Sequence, residues 1–424
     1  MLIRLIYNFV LVIICPFFLL SLYKTKKGKP EFGQRKLEHW GITPSISANT
    51  KPLWIHAVSV GEVIAAAPLI KAIKAAQPQQ EIVVTTTTST GAEQVAKLGD
   101  LVEHRYMPLD FSFAVKGFIR AIQPSQLLIM ETELWPNTLR IVAKSNIDIT
   151  VVNARLSDKS YRSYKRIQPL FNQIHPCISS ILCQSKEDAA RFASLGIPTS
   201  KLSVTGSIKF DITVPQHNAQ TSPQFGERPV WIAASTHQGE DEIALRAHQA
   251  LLKALPEALL IIVPRHPERF DSVNKLCSDY GMNVVRRTTD QPVSLSHHVY
   301  LADTMGELLD MLACAHICFM GGSLVGKKVG GHNMLESAAV GTPVISGPSY
   351  YNFFEIVDKM QRDNLITIVN NEQDLATEIK RYFTSNHPNS MISDRLRQFV
   401  ATHSGAIKKS LEHIQLDKNS GLRK

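Results

Sequence analysis

Two short loops place carboxylates directly after apolar runs, where they could act on a substrate. Ser59-Val60-Gly61-Glu62 follows the apolar residues 53–58, and Glu131-Thr132-Glu133-Leu134-Trp135 follows residues 127–130. A carboxylate at a helix start can take a proton from an alcohol, which makes Glu62 a candidate general base. The alternative is that Glu62 only complements the positive end of a helix dipole. Two carboxylates and a tryptophan at a strand end are costly to place without a role, so Glu131 is a second candidate.

Basic and polar side chains occupy comparable positions further along the chain. Lys209 could neutralise a leaving phosphate, or it could form a salt bridge in a linker. Pro264-Arg265-His266 follows the apolar residues 259–263, and arginine is suited to bidentate phosphate contacts. Met305-Gly306-Glu307 stands between a strand and a helix, and Ser235-Thr236-His237 forms another polar turn. The shared placement of these groups at strand ends is a stronger signal than any one of them.

A glycine-rich stretch, residues 319–348, has the pattern of a ligand-binding connection. Gly321-Gly322-Ser323 ends an apolar strand, and Gly330-Gly331 precedes Asn333 and a helical run at 334–340. Glycines let the backbone approach a ligand, and a helix start offers free N–H groups. Glu336, one turn into the helix, could accept hydrogen bonds from a sugar diol. The alternative is an ordinary strand–loop–helix connection with glycines for packing.

Alternating strands and helices must position these loops. The pattern predicts strands at residues 53–58, 81–86, 127–130, 149–152, 181–184, 230–234, 259–263, 299–302, 317–320, 344–346 and 365–369, and helices at 62–76, 186–195, 334–340 and from 372 towards 414. This rhythm indicates parallel sheets covered by helices. We predict two tandem doubly wound α/β domains at 30–212 and 229–400, with a linker at 213–228 and a partly helical tail at 401–424. Ligands bind beyond the carboxyl ends of such strands, so facing domains would form a cleft.

The first 29 residues predict a membrane anchor with a basic flank. Residues 5–23 carry no charge and are about long enough to cross a bilayer. Pro16 also permits a kinked or in-plane segment. A cleaved signal peptide is disfavoured because only Arg4 precedes the segment and no small-x-small cleavage site follows it. A buried core helix is the other alternative, but it does not explain the basic residues that follow: Lys24, Lys26, Lys27, Lys29, Arg35 and Lys36. By the positive-inside rule, the rest of the chain is cytoplasmic.

Composition narrows the class of protein. The formal net charge of +9 over 424 residues favours an anionic partner, either a membrane surface or a phosphorylated ligand, whereas no nucleic-acid motif is present. Six cysteines without disulfide spacing indicate a reducing compartment, and Cys314-Ala315-His316-Ile317-Cys318 is interpreted as core packing. The chain has no D-x-D triplet, Walker lysine loop, G-x-S-x-G elbow or HExxH, which disfavours metal-diphosphate grips, NTPases, serine hydrolases and zinc proteases.

These motifs, in their order, resemble a known family. The resemblance rests on Glu38-His39-Trp40-Gly41, Ser59-Val60-Gly61-Glu62, Met130-Glu131-Thr132-Glu133-Leu134-Trp135-Pro136-Asn137, Asn153-Ala154-Arg155-Leu156-Ser157, Thr205-Gly206-Ser207-Ile208-Lys209-Phe210-Asp211, Pro264-Arg265-His266-Pro267-Glu268-Arg269, Asp303-Thr304-Met305-Gly306-Glu307-Leu308 and Gly330-Gly331-His332-Asn333. Together they look like the bacterial 3-deoxy-D-manno-octulosonic acid (Kdo) transferases of lipid A biosynthesis. The resemblance covers nearly the whole chain. The sequence departs from it in the longer loop at 326–329 and in Met334, where the family often has proline.

The resemblance implies a GT-B fold with an N-terminal anchor, and an inverting, metal-independent transfer of Kdo from CMP-Kdo to a lipid A precursor, lipid IVA. It implies Glu62 as the catalytic base, with Glu131 and Lys209 as transition-state stabilisers. The residues implied to hold CMP are Pro264, Arg265, Met305, Gly306, Glu307, Asn333, Met334, Leu335 and Glu336. The implied location is the cytoplasmic face of the bacterial inner membrane, in contact with its lipids, with no cofactor, metal or nucleic acid. A GT-B enzyme with another nucleotide-sugar donor and an inactive nucleotide-binding module are the alternatives.

Overall fold

The computed structural model describes residues 2–24, 30–46, 51–214, 223–326, 329–385 and 389–414, which fold into two compact units. The first unit takes the described residues up to Asp211 and those from His403 onward. The second unit runs from Ile212 to Thr402. Residues 215–222 of the predicted linker lie outside the described residues.

The described part of the first unit contains a sheet of seven parallel strands. Its strands are β1 (Leu53–His56), β2 (Ile82–Thr86), β3 (Glu103–Tyr106), β4 (Gln126–Met130), β5 (Asp148–Ala154), β6 (Ser180–Cys183) and β7 (Leu202–Val204), in the order β3-β2-β1-β4-β5-β6-β7. Its helices are α1 (Leu2–Tyr23), α2 (Val60–Ala76), α3 (Ser89–Ala96), α4 (Ser112–Ile122), α5 (Pro136–Lys144), α6 (Asp158–Arg166), α7 (Gln168–Ile174) and α8 (Lys186–Ser194).

Strand β1 shows why helices cover both faces of this sheet. Successive side chains of a strand point to opposite faces, and all four residues of β1 are buried. Trp54 packs on one face against Phe118 of α4, with ring centroids 4.7 Å apart. Leu53 and Ile55 face the other way and join a cluster with Leu69 of α2. The prediction of a doubly wound parallel sheet is confirmed for this unit.

The described part of the second unit repeats this architecture with a different strand order. Its strands are β8 (Val230–Thr236), β9 (Leu259–Pro264), β10 (Val284–Arg286), β11 (Val299–Leu301), β12 (Ile317–Met320), β13 (Val344–Ser346) and β14 (Ile366–Ile368), all parallel in the order β10-β11-β9-β8-β12-β13-β14. Its helices are α9 (Glu240–Leu252), α10 (Phe270–Asp279), α11 (Leu308–Ala313), α12 (Met334–Val340), α13 (Phe354–Arg362), α14 (Glu372–Thr384) and α15 (Asn389–His403).

Residues 403–414 return to the first unit, which the sequence did not indicate. Helix α16 (Ala406–Glu412) contacts α2, and Ala406 is fully buried. The carboxylate of Asp211 accepts hydrogen bonds from the backbone N–H groups of Gly405 and Ile407 at the start of α16. The ring of His403 stacks on Phe210 with centroids 5.0 Å apart. The described part of the predicted tail is therefore held on the first unit by polar and aromatic contacts.

The predicted N-terminal apolar helix is present as α1. It has 22 residues and a mean hydropathy of 2.5, and it is the candidate membrane span among the described residues. Its large apolar side chains include Phe9, Phe17 and Leu20, which are about 70% exposed. Lys26, Lys27 and Lys29 of the basic flank lie outside the described residues.

Three strands were not predicted from the sequence: β3, β7 and β10. Each of them lies at an edge of its sheet. An edge strand packs on one side only, so it needs fewer apolar side chains than a central strand. Strand β3, with the sequence Glu103-His104-Arg105-Tyr106, illustrates the resulting polar pattern.

Candidate active site

Glu62 and Glu131 follow neighbouring strands of the first sheet. Strands β1 and β4 pair directly, with Leu53 opposite Gln126. The strand order changes direction between them, because β2 lies on the far side of β1 and β5 on the far side of β4. Such a switch point opens a crevice at the carboxyl ends of the strands, where ligands bind in α/β folds. The two predicted carboxylates therefore lie at the position that the fold makes available for a ligand.

Glu62 is held at the start of α2. Its carboxylate accepts hydrogen bonds from the Val58 backbone N–H at 2.8 Å and from the Ser59 hydroxyl at 3.2 Å. The Ser59 side chain in turn caps the helix by accepting a bond from the Glu62 N–H. Glu62 therefore lies at the helix start, where it can complement the dipole as the alternative from the sequence proposed, and its bonds from Val58 and Ser59 also fix the carboxylate in one orientation.

The environment of Glu62 suits a group that exchanges protons near neutral pH. Glu62 is 8% exposed, and burial is the main cause that raises its pKa from 4.5 to about 7. The negative charges of Glu131 and Glu133 raise the pKa further, whereas the bonds from Val58 and Ser59 lower it. A strongly perturbed carboxyl group at a switch point is typical of a functional site.

Glu131 begins a loop with an unusual backbone conformation. Its φ is +59°, in the left-handed region that residues other than glycine, asparagine and aspartate rarely adopt. The Glu131 N–H bonds to the Val152 carbonyl at 2.9 Å, which continues the pairing of β4 with β5. Strained conformations of this kind persist where the surrounding structure enforces them, commonly at functional sites.

The loop that starts at Glu131 lines a cavity of about 640 Å³. The residues around the cavity are Tyr7, Glu131, Thr132, Glu133, Leu134, Trp135, Pro136, Arg155, Ser157, Ser160, Tyr164, Ile167, Leu170 and Ile174. The Tyr164 hydroxyl donates to the Thr132 carbonyl at 3.2 Å, and the Thr132 hydroxyl donates to the Arg155 carbonyl. Burial and the charge of Glu133 raise the pKa of Tyr164 to about 12, so this phenol stays neutral and donates. The cavity has room for a sugar headgroup.

Lys209 lies next to the helix that carries Glu62. It is part of a short 3₁₀ helix, Ile208–Phe210, which contacts α2. The Ile208 N–H bonds to the Asn153 side chain at 3.2 Å, and this bond ties the 3₁₀ helix to the end of β5. The structure thus brings the segments of all three predicted catalytic residues to the carboxyl ends of the strands of the first sheet.

The second sheet has its own switch point, between β8 and β12, and a buried carboxylate organises it. Glu240 is fully buried, and its side chain accepts hydrogen bonds from the backbone N–H groups of Gly322, Ser323 and Leu324 at 2.7 to 2.9 Å. A Cβ atom at Gly321 would lie only 2.6 Å from the Ser235 carbonyl oxygen, so a residue with a side chain would clash at this position. Glu240 is not among the residues predicted from the sequence. In the sequence, Glu240 belongs to an acidic cluster shortly after the polar turn 235–237. Such a cluster could have indicated it, but it resembles the acidic residues found at the start of many helices.

Arg265 and Glu336, predicted to contact CMP, lie within electrostatic reach of each other. Burial raises the pKa of Glu336, while a bond from the Asn333 side chain and the charge of Arg265 lower it. Arg265 itself is exposed, and its backbone N–H bonds to the Thr236 carbonyl at 3.0 Å. His332 is nearby, since burial and then the charge of Arg265 lower its pKa to about 4. Arg265, Glu336 and Asn333 thus lie close to one another at the carboxyl ends of the strands of the second sheet.

The other predicted CMP-binding residues differ in what they expose. The side chains of Met334 and Leu335 are fully buried, so they could contact a nucleotide through the backbone alone. Met305 is 60% exposed, and Gly306 has a φ of +92°. Burial raises the pKa of Glu307, but bonds from Thr304 and Arg287 outweigh it and lower the pKa. Pro264 ends β9 and is buried.

Two Rossmann-like units with ligand-competent switch points define the GT-B fold of glycosyltransferases. A solved structure of low sequence identity agrees with this fold class. The UDP-GlcNAc 2-epimerase from Neisseria meningitidis, solved with UDP-GlcNAc, covers 86% of this chain and 99% of its own, with a TM-score of 0.52 at 16% identity. The C-terminal CMP-Kdo binding domain of WaaA from Acinetobacter baumannii is 34% identical, with a TM-score of 0.40, over 42% of this chain and 91% of its own.

Sequence comparisons identify the family. The family model described as 3-deoxy-D-manno-octulosonic-acid transferase (kdotransferase) matches residues 34–212. The 3-deoxy-D-manno-octulosonic acid transferase of Haemophilus influenzae is 37% identical over 97% of this chain and 98% of its own. That of Bordetella pertussis is 31% identical over 86% of this chain and 87% of its own. The chain belongs to the Kdo transferase family of glycosyltransferases, and the resemblance found in its motifs is confirmed.

Proposed function

We propose that the chain transfers Kdo from CMP-Kdo to a lipid A precursor, lipid IVA, during the synthesis of lipopolysaccharide, with inversion at the anomeric carbon. The observation that carries this proposal is the state of Glu62. Its carboxyl group is buried, oriented by Val58 and Ser59, and has a pKa of about 7. A general base is most effective when its pKa lies near the working pH.

In the proposed reaction, Glu62 takes the proton of a sugar hydroxyl on the acceptor. The acceptor oxygen then forms a bond to the anomeric carbon of Kdo while the bond from that carbon to the CMP oxygen breaks. The electron pair of the broken bond leaves with the phosphate of CMP. A single displacement from the opposite face inverts the configuration and needs one carboxylate base.

The departing phosphate needs positive charge around it, and two basic residues are proposed to supply it. Lys209 and Arg265 can neutralise negative charge that develops on CMP. Glu131 is proposed to stabilise the transition state from its strained position after β4. Among the described residues, no group of three or more histidine, cysteine or acidic residues is placed to hold a metal ion. Metal independence remains a prediction.

On the donor side, the second unit is proposed to bind the nucleotide. Arg265 would contact the phosphate and Glu336 the ribose hydroxyls, because a carboxylate that retains acceptor capacity suits a diol. Asn333 bonds to the Glu336 carboxylate at 3.4 Å and to the Leu335 N–H at 3.2 Å, which orders the start of α12. Pro264 and residues 305–307 would complete the pocket, with Met334 and Leu335 contributing through the backbone.

We further propose that the protein works at the cytoplasmic face of the inner membrane, anchored by α1. The exposed apolar side chains of α1 would insert between lipids, and Lys24 with the lysines after it would face anionic headgroups. The protein would then bind its lipid acceptor in the membrane that contains it.

One assay tests the proposal. Full-length protein in detergent micelles is incubated with CMP-Kdo and the lipid A precursor, and products are identified by mass. The expected product is the precursor plus one or more Kdo units, whose number the mass reports. Competition by CMP and by UDP separates the proposed donor from a UDP-sugar. Acceptor that stays unmodified with CMP-Kdo, together with preferential inhibition by UDP, would overturn the donor assignment.

A further inference from the structure

Helix α1 packs along the first unit with one continuous face. The residues of α1 that are buried or half-buried recur with helical spacing, whereas those between them are mostly exposed. The inward residues on this face are Ile3, Arg4, Tyr7, Asn8, Leu11, Cys15, Phe18, Leu19, Leu22 and Tyr23. Near its end, the Tyr23 hydroxyl bonds to the His39 ring at 3.0 Å. Tyr7 and Tyr23 are about 24 Å apart along a helix, so α1 lies against the unit over most of its length.

The polar residues on the inward face of α1 contact a buried network. The Tyr7 hydroxyl donates to the Asp110 carboxylate at 2.7 Å, and the Asn8 side-chain carbonyl accepts from the Asn137 amide at 2.7 Å. Asp110 is fully buried. Asn8 is a polar residue within a mostly apolar segment. The structure shows a reason for it, since both side chains have partners in the folded unit.

Asp110 connects α1 to the first turn of α5. Its carboxylate also accepts bonds from the N–H groups of Asn137 and Thr138, at 2.9 and 2.6 Å, and from the Thr138 hydroxyl at 2.6 Å. Its backbone carbonyl accepts from the Asn137 side chain at 2.7 Å. These bonds fix the residues directly after the loop that runs from Glu131 to Pro136.

Tyr7 also lines the 640 Å³ cavity, together with Glu131, Glu133 and Trp135. Tyr7 therefore contributes to the cavity wall, while its hydroxyl donates to the carboxylate that caps α5. The same residue is thus in contact with both the cavity and the support of the loop around it.

We infer that α1 is a part of the acceptor site as well as a membrane anchor, with Tyr7 as a positioning residue for the loop that begins at Glu131. The inference rests on the proposed function, because it assigns this cavity to the acceptor. It predicts that acceptor use depends on Tyr7 and Asn8 even where the acceptor is presented in detergent micelles and membrane attachment plays no part.

The test uses full-length Tyr7→Phe and Asn8→Ala proteins in micelles. The KM for the acceptor should rise roughly tenfold in Tyr7→Phe, because a bond to the Asp110 carboxylate is lost. It should rise by a smaller factor, roughly threefold, in Asn8→Ala, because that variant loses a bond between two neutral amides. The change in kcat should be smaller than the change in KM in both variants. The affinity for CMP should not change. Tyr23→Phe is the matched control, because it removes the other bonded hydroxyl of α1 at a distance from the cavity, and its KM should equal that of the unaltered protein.

Amide hydrogen exchange gives a second readout that does not depend on turnover. The N–H groups of Asn137 and Thr138 should exchange faster in Tyr7→Phe than in Tyr23→Phe, because their acceptor Asp110 is less firmly held. Unchanged acceptor KM and unchanged exchange in both Tyr7→Phe and Asn8→Ala would overturn the inference. If the unaltered protein transfers no Kdo, the proposed function fails instead, and the exchange measurement still decides whether α1 orders the loop.

Discussion

Burial of Glu62 and the negative charge of nearby Glu131 together raise the pKa of Glu62 from 4.5 to about 7. The two residues follow the adjacent strands β1 and β4, so the pairing of those strands creates the electrostatic coupling. The pH dependence of transfer should report this relationship directly.

The rate at saturating CMP-Kdo should increase with pH and level off above an inflection near 7, since Glu62 must be ionised to accept a proton. Replacing Glu131 with glutamine removes a negative neighbour, so the inflection should move to lower pH even though the maximal rate falls. The measurement is the pH–rate profile of both proteins. An inflection that stays in place in Glu131→Gln would show that Glu131 does not act on Glu62.

Glu62→Gln should reduce transfer by roughly 10²–10⁴-fold, the usual contribution of a general base. Glutamine can still accept the bond from the Val58 N–H, so the start of α2 should remain folded. CMP binding should be nearly intact, because the proposed nucleotide residues lie in the second unit. Glu93→Gln, on the exposed face of α3, is the control. Near-normal turnover in Glu62→Gln would exclude it as the base.

The stability of the protein should also depend on Glu62. Because its folded pKa of about 7 lies above the usual 4.5, the folded chain holds a proton that the unfolded chain releases between these values. The free energy of unfolding should therefore fall as pH rises through this window, by at most about 3 kcal/mol. Glu62→Gln should remove this part of the slope. Denaturant midpoints of both proteins, compared below and above the window, check the sign; equal slopes would contradict it.

Arg265→Ala and Glu336→Ala should each weaken CMP binding by roughly tenfold or more, since each removes a charged partner of the nucleotide. Calorimetric titration with CMP measures the effect. Arg362→Ala, which removes an exposed arginine of α13 in the same unit, should bind CMP normally. Unchanged affinity in both site variants would show that these second-unit loops do not form the donor site.

A chain that begins at Pro30 should be more soluble than the full chain and still bind CMP. It should use a membrane-embedded acceptor poorly, because the anchor raises the local concentration at the lipid surface. Replacing Lys24, Lys26, Lys27 and Lys29 with glutamine should weaken attachment in a salt-dependent way, by about 1 kcal/mol per charge. Fractionation after high-salt washes tests both. If the truncated chain stays with membranes as firmly as the full chain, another surface makes the contact.

The buried strands were predictable because their chemistry is local. Central strands of a parallel sheet are covered on both faces, so they read as continuous apolar runs, and β12 and β13 match the predicted residues fully. Glu62, Glu131 and Arg265 were predicted as site residues for a related reason. Polar groups that directly follow such runs must lie at the carboxyl ends of strands, where ligands bind.

Long-range contacts decided what the sequence left open. Nothing local to Glu240 shows that its carboxylate will bind the backbone of a loop more than 80 residues away. In the same way, the Asp211 carboxylate accepts a hydrogen bond from the Ile407 N–H of α16. The Tyr7 hydroxyl donates to Asp110, which lies 103 positions further along the chain. Side-chain type and spacing determined the buried central strands, the apolar N-terminal helix and the candidate base. Tertiary structure decided the pKa of that base and the packing of the N-terminal helix on the first unit. Burial and the proximity of charges arise only when distant segments pack together.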